Sequence, residues 1–182
     1  GSRYSEYTNA DIINVKTLTD LDFISNVRVE IIDGKYILKW DAEEYVQGVH
    51  ITAGEDGSYW DKKPGETEQE LYWLDEGETT RLSIAPQIIG GWGKSAYITV
   101  TKFNESADDK DNDNWEVVKK AIEDSNRRGE NYTHTIDMNK ATIVPADVLE
   151  AIKGRDVNIV LEMNKDVKWV INGMDVEKSK DI

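Results

Sequence analysis

The sequence predicts an antiparallel β-sandwich followed by a small α+β domain of order α-β-α-β-β, and three observations carry that reading. Short runs of alternating apolar and polar residues, punctuated by Gly, Asp and Asn, fill residues 21 to 103. From Asn104 to Asn114 the chain reads NESADDKDNDN and has no large apolar side chain with which to build a core. Beyond it the apolar spacing changes to three and four residues, then returns to two. These shifts divide the chain into a tail or docked strand at 1–20, a sandwich at 21–103, an acidic linker at 104–114 and an α+β module at 115–182.

Within the sandwich, Val27, Val29 and Ile31 alternate with Arg28 and Glu30. Asp33-Gly34 supplies the positive backbone dihedrals of a two-residue hairpin turn, and Tyr36, Leu38 and Trp40 line the inner face of the next strand. Val49, Ile51 and Ala53 continue the pattern up to a GEDG turn. Tyr59-Trp60, a strand closed by Leu71 and Leu74, and the pair Leu82 and Ile84 follow. A glycine-bearing loop from Gln87 to Lys94 leads into Ala96, Ile98 and Val100, giving about seven strands. In the second unit Asp113 is placed to cap a helix, with Glu116 reaching back three residues later. Trp115, Val118, Ala121 and Ile122 mark one face of that helix, which Arg127, Arg128 and Gly129 bring to an end. A strand from Tyr132 to Met138 leads to a second helix that starts at Pro145, faces inward through Val148, Leu149 and Ile152 and stops at Gly154. Val157, Ile159, Leu161 and Met163 form one strand of a final hairpin, and Val167, Trp169 and Ile171 form the other.

Composition excludes several functions. With 36 acidic and 22 basic side chains the formal net charge is −14, which repels phosphate backbones and anionic lipid, so neither nucleic acid nor membrane surface is an expected partner. The acidity falls mainly on residues 1–103, at −8, and on the linker, at −4. No cysteine is present, which removes disulfides, thiolate nucleophiles and Cys-ligated metals. No apolar run approaches the ~20 residues of a membrane span, so direct membrane insertion is not expected. Gly1-Ser2 has the look of a cloning remnant, so the chain is expected to be a piece of a longer protein.

Trp40 ending the second strand, Leu74-Asp75-Glu76-Gly77 before a strand, and Gly90-Gly91-Trp92-Gly93-Lys94-Ser95 before the last one resemble a fibronectin type III domain. The likeness covers roughly 80 residues and departs where such domains place a corner tyrosine, because Thr80 stands there. The run TIDMNKATIVPADVLEAIKGRDVNIVLEMNKDVKWVINGMDV resembles a module repeated in secreted and wall-attached proteins of Gram-positive gut anaerobes. These resemblances imply an extracellular or cell-wall-attached, multimodular parent rather than a reaction.

Candidate chemistry is sparse. His134 is in phase with Tyr132, Ile136 and Met138, so it is expected to be buried against a backbone or carboxylate partner. His50 alternates with Val49 and Ile51 and is expected to face outward, with no catalytic constellation near it in sequence. Asp109, Asp111 and Asp113 have the spacing of a calcium loop's first ligands. However, Asn114 replaces the turn glycine and Lys120 stands where a bidentate Glu is required, so no metal and no cofactor is expected. Asn104-Glu105-Ser106 and Asn131-Tyr132-Thr133 match the glycosylation pattern at chance frequency. The candidate ligand-binding residues are Tyr59, Trp60, Trp73 and Trp92, whose flat rings beside carboxylates can stack on sugars. The bland alternative is that these rings pack inside or between units. The expectation is a noncatalytic spacer and partner-binding module for a protein or glycan at the cell surface. The alternatives are a carbohydrate-binding module and, behind it, a hydrolase with an unrecognised acidic site.

Overall fold

The computed structural model describes residues 22–54, 57–104, 112–129, 132–164 and 167–182. The segment 1–20, most of the acidic linker with Asp109 and Asp111, the middle of the GEDG turn, and Glu105 and Asn131 of the glycosylation patterns lie outside the described residues.

The first sheet contains β1 (Ile24–Ile32), β2 (Lys35–Ala42) and the short β5 (Glu68–Glu70), in the order β1-β2-β5 and antiparallel throughout. Asp33 and Gly34 sit at φ 51° and 77° between β1 and β2, the left-handed pair that a two-residue turn requires. Tyr36, Leu38 and Trp40 are buried, as their alternation predicts. The strand expected to close with Leu71 and Leu74 instead ends at Glu70; Leu71 is buried in the turn that follows, its N–H donating to Tyr36 O at 2.8 Å.

The second sheet is larger. It holds β3 (Gly48–Ala53), β4 (Ser58–Lys62), β6 (Glu78–Ile88), β7 (Gly91–Trp92) and β8 (Ala96–Lys102), then β9 (Tyr132–Asp137), β10 (Asn158–Asn164) and β11 (Val167–Asn172). Its order is β11-β10-β9-β8-β6-β3-β4, with β7 on β6. Val29, Leu38 and Trp40 from the first sheet meet Ile51, Leu82, Ile84 and Ile98 from the second in one core cluster. Burial on that scale is what holds a two-layer β structure together. The protein is mostly β, with two facing sheets.

The elements after the linker do appear in the order α-β-α-β-β, with α1 spanning Asn112–Arg128 and α2 spanning Ala146–Ile152. They do not build a sheet of their own. β9 lies parallel to β8, Tyr97 opposite Tyr132 through Lys102 opposite Asp137, so α1 is a crossover between neighbouring strands of one sheet. A second cluster, Phe103, Trp115, Val118, Ile122, Ile136, Ile152 and Leu161 among its members, seals the helices onto the outer face. On the other face Tyr36 donates to Asp137 and ties the first sheet to β9. Burial and the neighbouring carboxylate hold the Tyr36 phenol well above its usual pKa.

Helix α1 begins inside the stretch read as linker. Asp113 therefore lies in its first turn rather than before it, and Glu116 pairs with Lys119 instead of reaching back to a cap. Lys119 also bridges to Asp147 of α2 at 2.7 Å, and that contact, ahead of the Glu116 one, raises its pKa. Asn114 is buried and accepts from the Asn104 N–H and side-chain amide at 3.4 Å.

After β11 a 3-10 turn, Gly173–Asp175, closes against the end of α2. A Cβ on Gly173 would stand 2.2 Å from Ile152 O and 2.6 Å from Arg155 O, both backbone atoms that cannot rotate away. Gly173→Ala is expected to lower the unfolding free energy by about 3 kcal/mol, read from urea denaturation. An unchanged midpoint would show that the close approach is not required.

Candidate functional site

Strand pairing sorts the four candidate aromatics into two pairs with different surroundings. Trp60 is opposite Ile51 in the β3–β4 hairpin and so takes the inner face. It stacks on Trp73 at 4.3 Å between centroids and 19° between planes, and both pack against the sandwich core. Tyr72, 75% exposed, meets the Trp73 edge. Trp60 and Trp73 thus close the flank of the core, which is the bland alternative for those two residues.

Tyr59 and Trp92 take the opposite face. Tyr59 is opposite Thr52 and 63% exposed, whereas Trp92 reaches the surface on β7, paired with Gln87 of β6, and is 55% exposed. The expected loop from Gln87 to Lys94 is therefore a tight hairpin, held by the Gly93 N–H donating to Pro86 O at 2.9 Å and by a Lys94–Asp22 ion pair at 2.8 Å. That hairpin brings Trp92 within reach of β3.

His50 joins the two rings. It stacks on Tyr59 at 5.4 Å, presents to Trp92 at 5.8 Å, and its Nδ1 lies 2.7 Å from Asp61 Oδ1. His50 and Asp61 are directly opposite in the hairpin register, and alternation puts both on the outer face with Tyr59. Sequence reading placed His50 outward but missed its role. Folding residues 48–62 about the GEDG turn would have set His50 opposite Asp61. The result is an exposed platform of two rings around an imidazole, with a carboxylate fixed at its edge. It can stack a flat apolar face and accept hydrogen bonds beside it.

Trp169, one of the apolar residues that mark the last strand, is 48% exposed on β11, with Val170 at 59%. The helices cover the sheet as far as Leu161 and Ile171 but leave this edge strand largely bare. His134 is buried, as expected, but its partner is the Thr99 hydroxyl on Nδ1 rather than backbone or a carboxylate. Among the described residues its Nε2 has no hydrogen-bond partner, and burial pushes its pKa down to about 3. Among the described residues no group of three or more His, Asp or Glu could hold a metal ion, and no helix is long and apolar enough to cross a membrane.

No protein-family model matches the chain, and neither does any curated protein. Among solved structures, a fibronectin type III domain of human collagen XX is similar over 48% of this chain and 99% of that domain, at 17% identity and a TM-score of 0.37. The FN1-FN3 domains of chicken CNTN1 are similar over 44% of this chain and 32% of theirs, at 14% identity and a TM-score of 0.38. The spore cortex lytic enzyme SleM of Clostridium perfringens is similar over 42% of this chain and 26% of the enzyme, at 15% identity and a TM-score of 0.35. The match thus spans a minor part of the last two proteins.

Proposed function

We propose that this protein is a noncatalytic piece of an extracellular or wall-attached multimodular protein, in which a fibronectin III-like sandwich carries an α+β extension and acts as spacer and partner-binding surface. The observation that carries the binding half of this reading is the Tyr59–His50–Trp92 platform, because large rings grouped on an outer sheet face cost hydration free energy unless something covers them. The spacer half is supported by a two-sheet body ordered by its own core.

Asp61 favours a glycan over a protein as the occupant of that platform. Its carboxylate is held by His50 beside the rings, the pairing of stacking surface and fixed acceptor that a pyranose with its hydroxyls uses. Trp92→Ala and Tyr59→Ala are each expected to weaken glycan binding at least tenfold, about 1.4 kcal/mol, in titrations that leave the melting temperature unchanged. Trp73→Ala is expected to do the reverse, lowering the melting temperature because it removes the ring beneath Trp60. A glycan array on which the intact chain binds nothing would remove the carbohydrate reading and leave the spacer. Turnover of any glycan by the pure chain would revive the hydrolase alternative.

A further inference from the structure

Strand register sets the surroundings of the platform. Thr52, Ser83, Ala85 and Gln87 share the outer face with His50 and Tyr59 by alternation, and none of the four is ionisable. Trp92 stands on β7, on the far side of β6 from His50, and the two rings meet at 5.8 Å across Ala85, whose methyl group leaves the gap open. With His50 counted neutral, the platform and these four neighbours carry one formal charge, that of Asp61. The nearest bases are engaged elsewhere. The Arg81 guanidinium carbon lies 4.3 Å from the Tyr97 ring centroid, Lys62 pairs with Glu66 at 3.4 Å and Lys94 with Asp22 at 2.8 Å. Lys63 follows the end of β4, where its charge helps to hold down the pKa of Glu66.

The Asp61 carboxylate is oriented but not neutralised. A carboxylate only accepts, so the neutral imidazole of His50 donates its Nδ1–H to Oδ1 at 2.7 Å. Oδ2 has no hydrogen-bond partner among the described residues, and the side chain is 70% exposed. A ligand that stacks on the rings strips water from this carboxylate. A neutral hydroxyl returns one hydrogen bond and leaves the charge uncompensated, whereas an ammonium group returns the bond and neutralises the charge. The ring faces act in the same direction, because a cation over Trp or Tyr is attracted by the ring quadrupole. The net charge of −14 adds a field that draws cations in and repels acidic sugars.

We propose that the ligand of the platform is a glycan with free amino groups, a pyranose face stacked on the Tyr59 or Trp92 ring and an ammonium group on Asp61 Oδ2. This inference rests on the glycan reading of the platform and adds to it the sign of the ligand's charge. Asp61 is then the residue that sets specificity, and the rings supply the contact area.

The test is calorimetric titration of the intact chain with three probes at a pH that protonates the amines: a chitosan oligosaccharide, the fully N-acetylated oligosaccharide of the same length, and an oligolysine of the same charge. The chitosan oligosaccharide is expected to saturate about tenfold more tightly than either of the others, since one lacks the charge and the other the flat sugar face. Asp61→Asn, with its melting temperature checked, is expected to remove the preference for the free amine. Glu123→Gln takes the same formal charge from an exposed position on α1 and is expected to keep that preference. Trp92→Ala is expected to weaken binding of the chitosan oligosaccharide about tenfold. Equal or tighter binding of the N-acetylated sugar overturns the inference and leaves the platform as a neutral-glycan site. Oligolysine binding as tightly as the chitosan oligosaccharide overturns it in favour of a basic peptide, and a preference that survives Asp61→Asn overturns it outright. Binding of neither sugar removes the inference, and only a blank glycan array besides removes the glycan reading on which it rests.

Discussion

Residues 112–182 produced by themselves are expected to give no cooperative melting transition, whereas residues 22–104 are expected to fold. The two hydrophobic clusters give the reason. Every buried member of the first lies between Phe23 and Val100, so the sandwich core survives the cut intact. The second takes Phe103 from the end of β8, where it is almost fully buried, meets Trp115 edge-on at 4.9 Å and donates its N–H to Asp137 O at 3.0 Å. Separation also strips β9 of its ladder to β8 and of the Tyr36 contact, leaving about 70 residues with an open sheet edge and no metal or disulfide to compensate. The freed sandwich has its own defect, since the β8 edge now exposes unpaired backbone groups beside Thr99 and Thr101, which are buried in the intact chain. It is expected to melt lower than the whole and to self-associate with rising concentration, as seen by sedimentation and circular dichroism. A cooperative transition for 112–182 alone would make the α+β part an autonomous domain. Unfolding of both pieces would make the whole chain one cooperative unit.

That dependence on one strand pairing explains what could and could not be read in advance. Period-two alternation in Tyr36, Leu38 and Trp40, and the spacing of Trp115, Val118 and Ile122, are local signals, and those residues are buried as they predict. Parallel pairing of β8 with β9 joins strands on either side of α1 and leaves no turn chemistry to detect. Its one trace is composition: Ile98 through Thr101 are buried without a break, as in a strand covered on both faces. Alternation alone assigned only Ile98 and Val100 of that run to a core, because Thr99 and Thr101, which alternate with them, look solvated. The candidate site was half legible for the same reason. Tyr59 and Trp92 were visible as rings beside turns, but their meeting depends on His50 and on a hairpin at Gly91 that brings distant strands together. Trp169 follows the alternation of its strand, yet its burial depended on how far the helices extend across the sheet, which no local pattern encodes.

Stability is expected to fall steadily as the pH drops below 6.5, and His134 supplies the first part of the loss. Its imidazole is packed under α1 against the Tyr132 edge at 4.5 Å, hydrogen-bonded through Nδ1 to Thr99. Burial lowers its pKa from 6.5 to about 3, so the folded state keeps it neutral where the unfolded chain would protonate it. The unfolded state then binds the extra proton, and the free energy of unfolding falls with falling pH. The slope approaches about 1.4 kcal/mol per pH unit below 6.5 and levels off near the folded pKa. Carboxylates with depressed pKa values have the same sign but act lower. Glu30, held down by Lys39 and Arg28, and Asp147, held down by Lys119, lose their contribution only as the pH falls through the range below 4.5. Glu162 opposes them, since burial raises its pKa and its protonation favours the folded state. Above pH 4.5 the depressed carboxylates drop out, and the imidazole acts with only Glu162 opposing it. Urea unfolding between pH 6.5 and about 5, in a His50→Gln background that removes the second histidine, is expected to show the slope, and His134→Leu with Thr99→Val is expected to flatten it. The paired change removes both hydrogen-bonding groups, so no buried hydroxyl is left without its partner. A slope that persists in the double variant would assign the acid sensitivity to the carboxylates and leave His134 as inert packing.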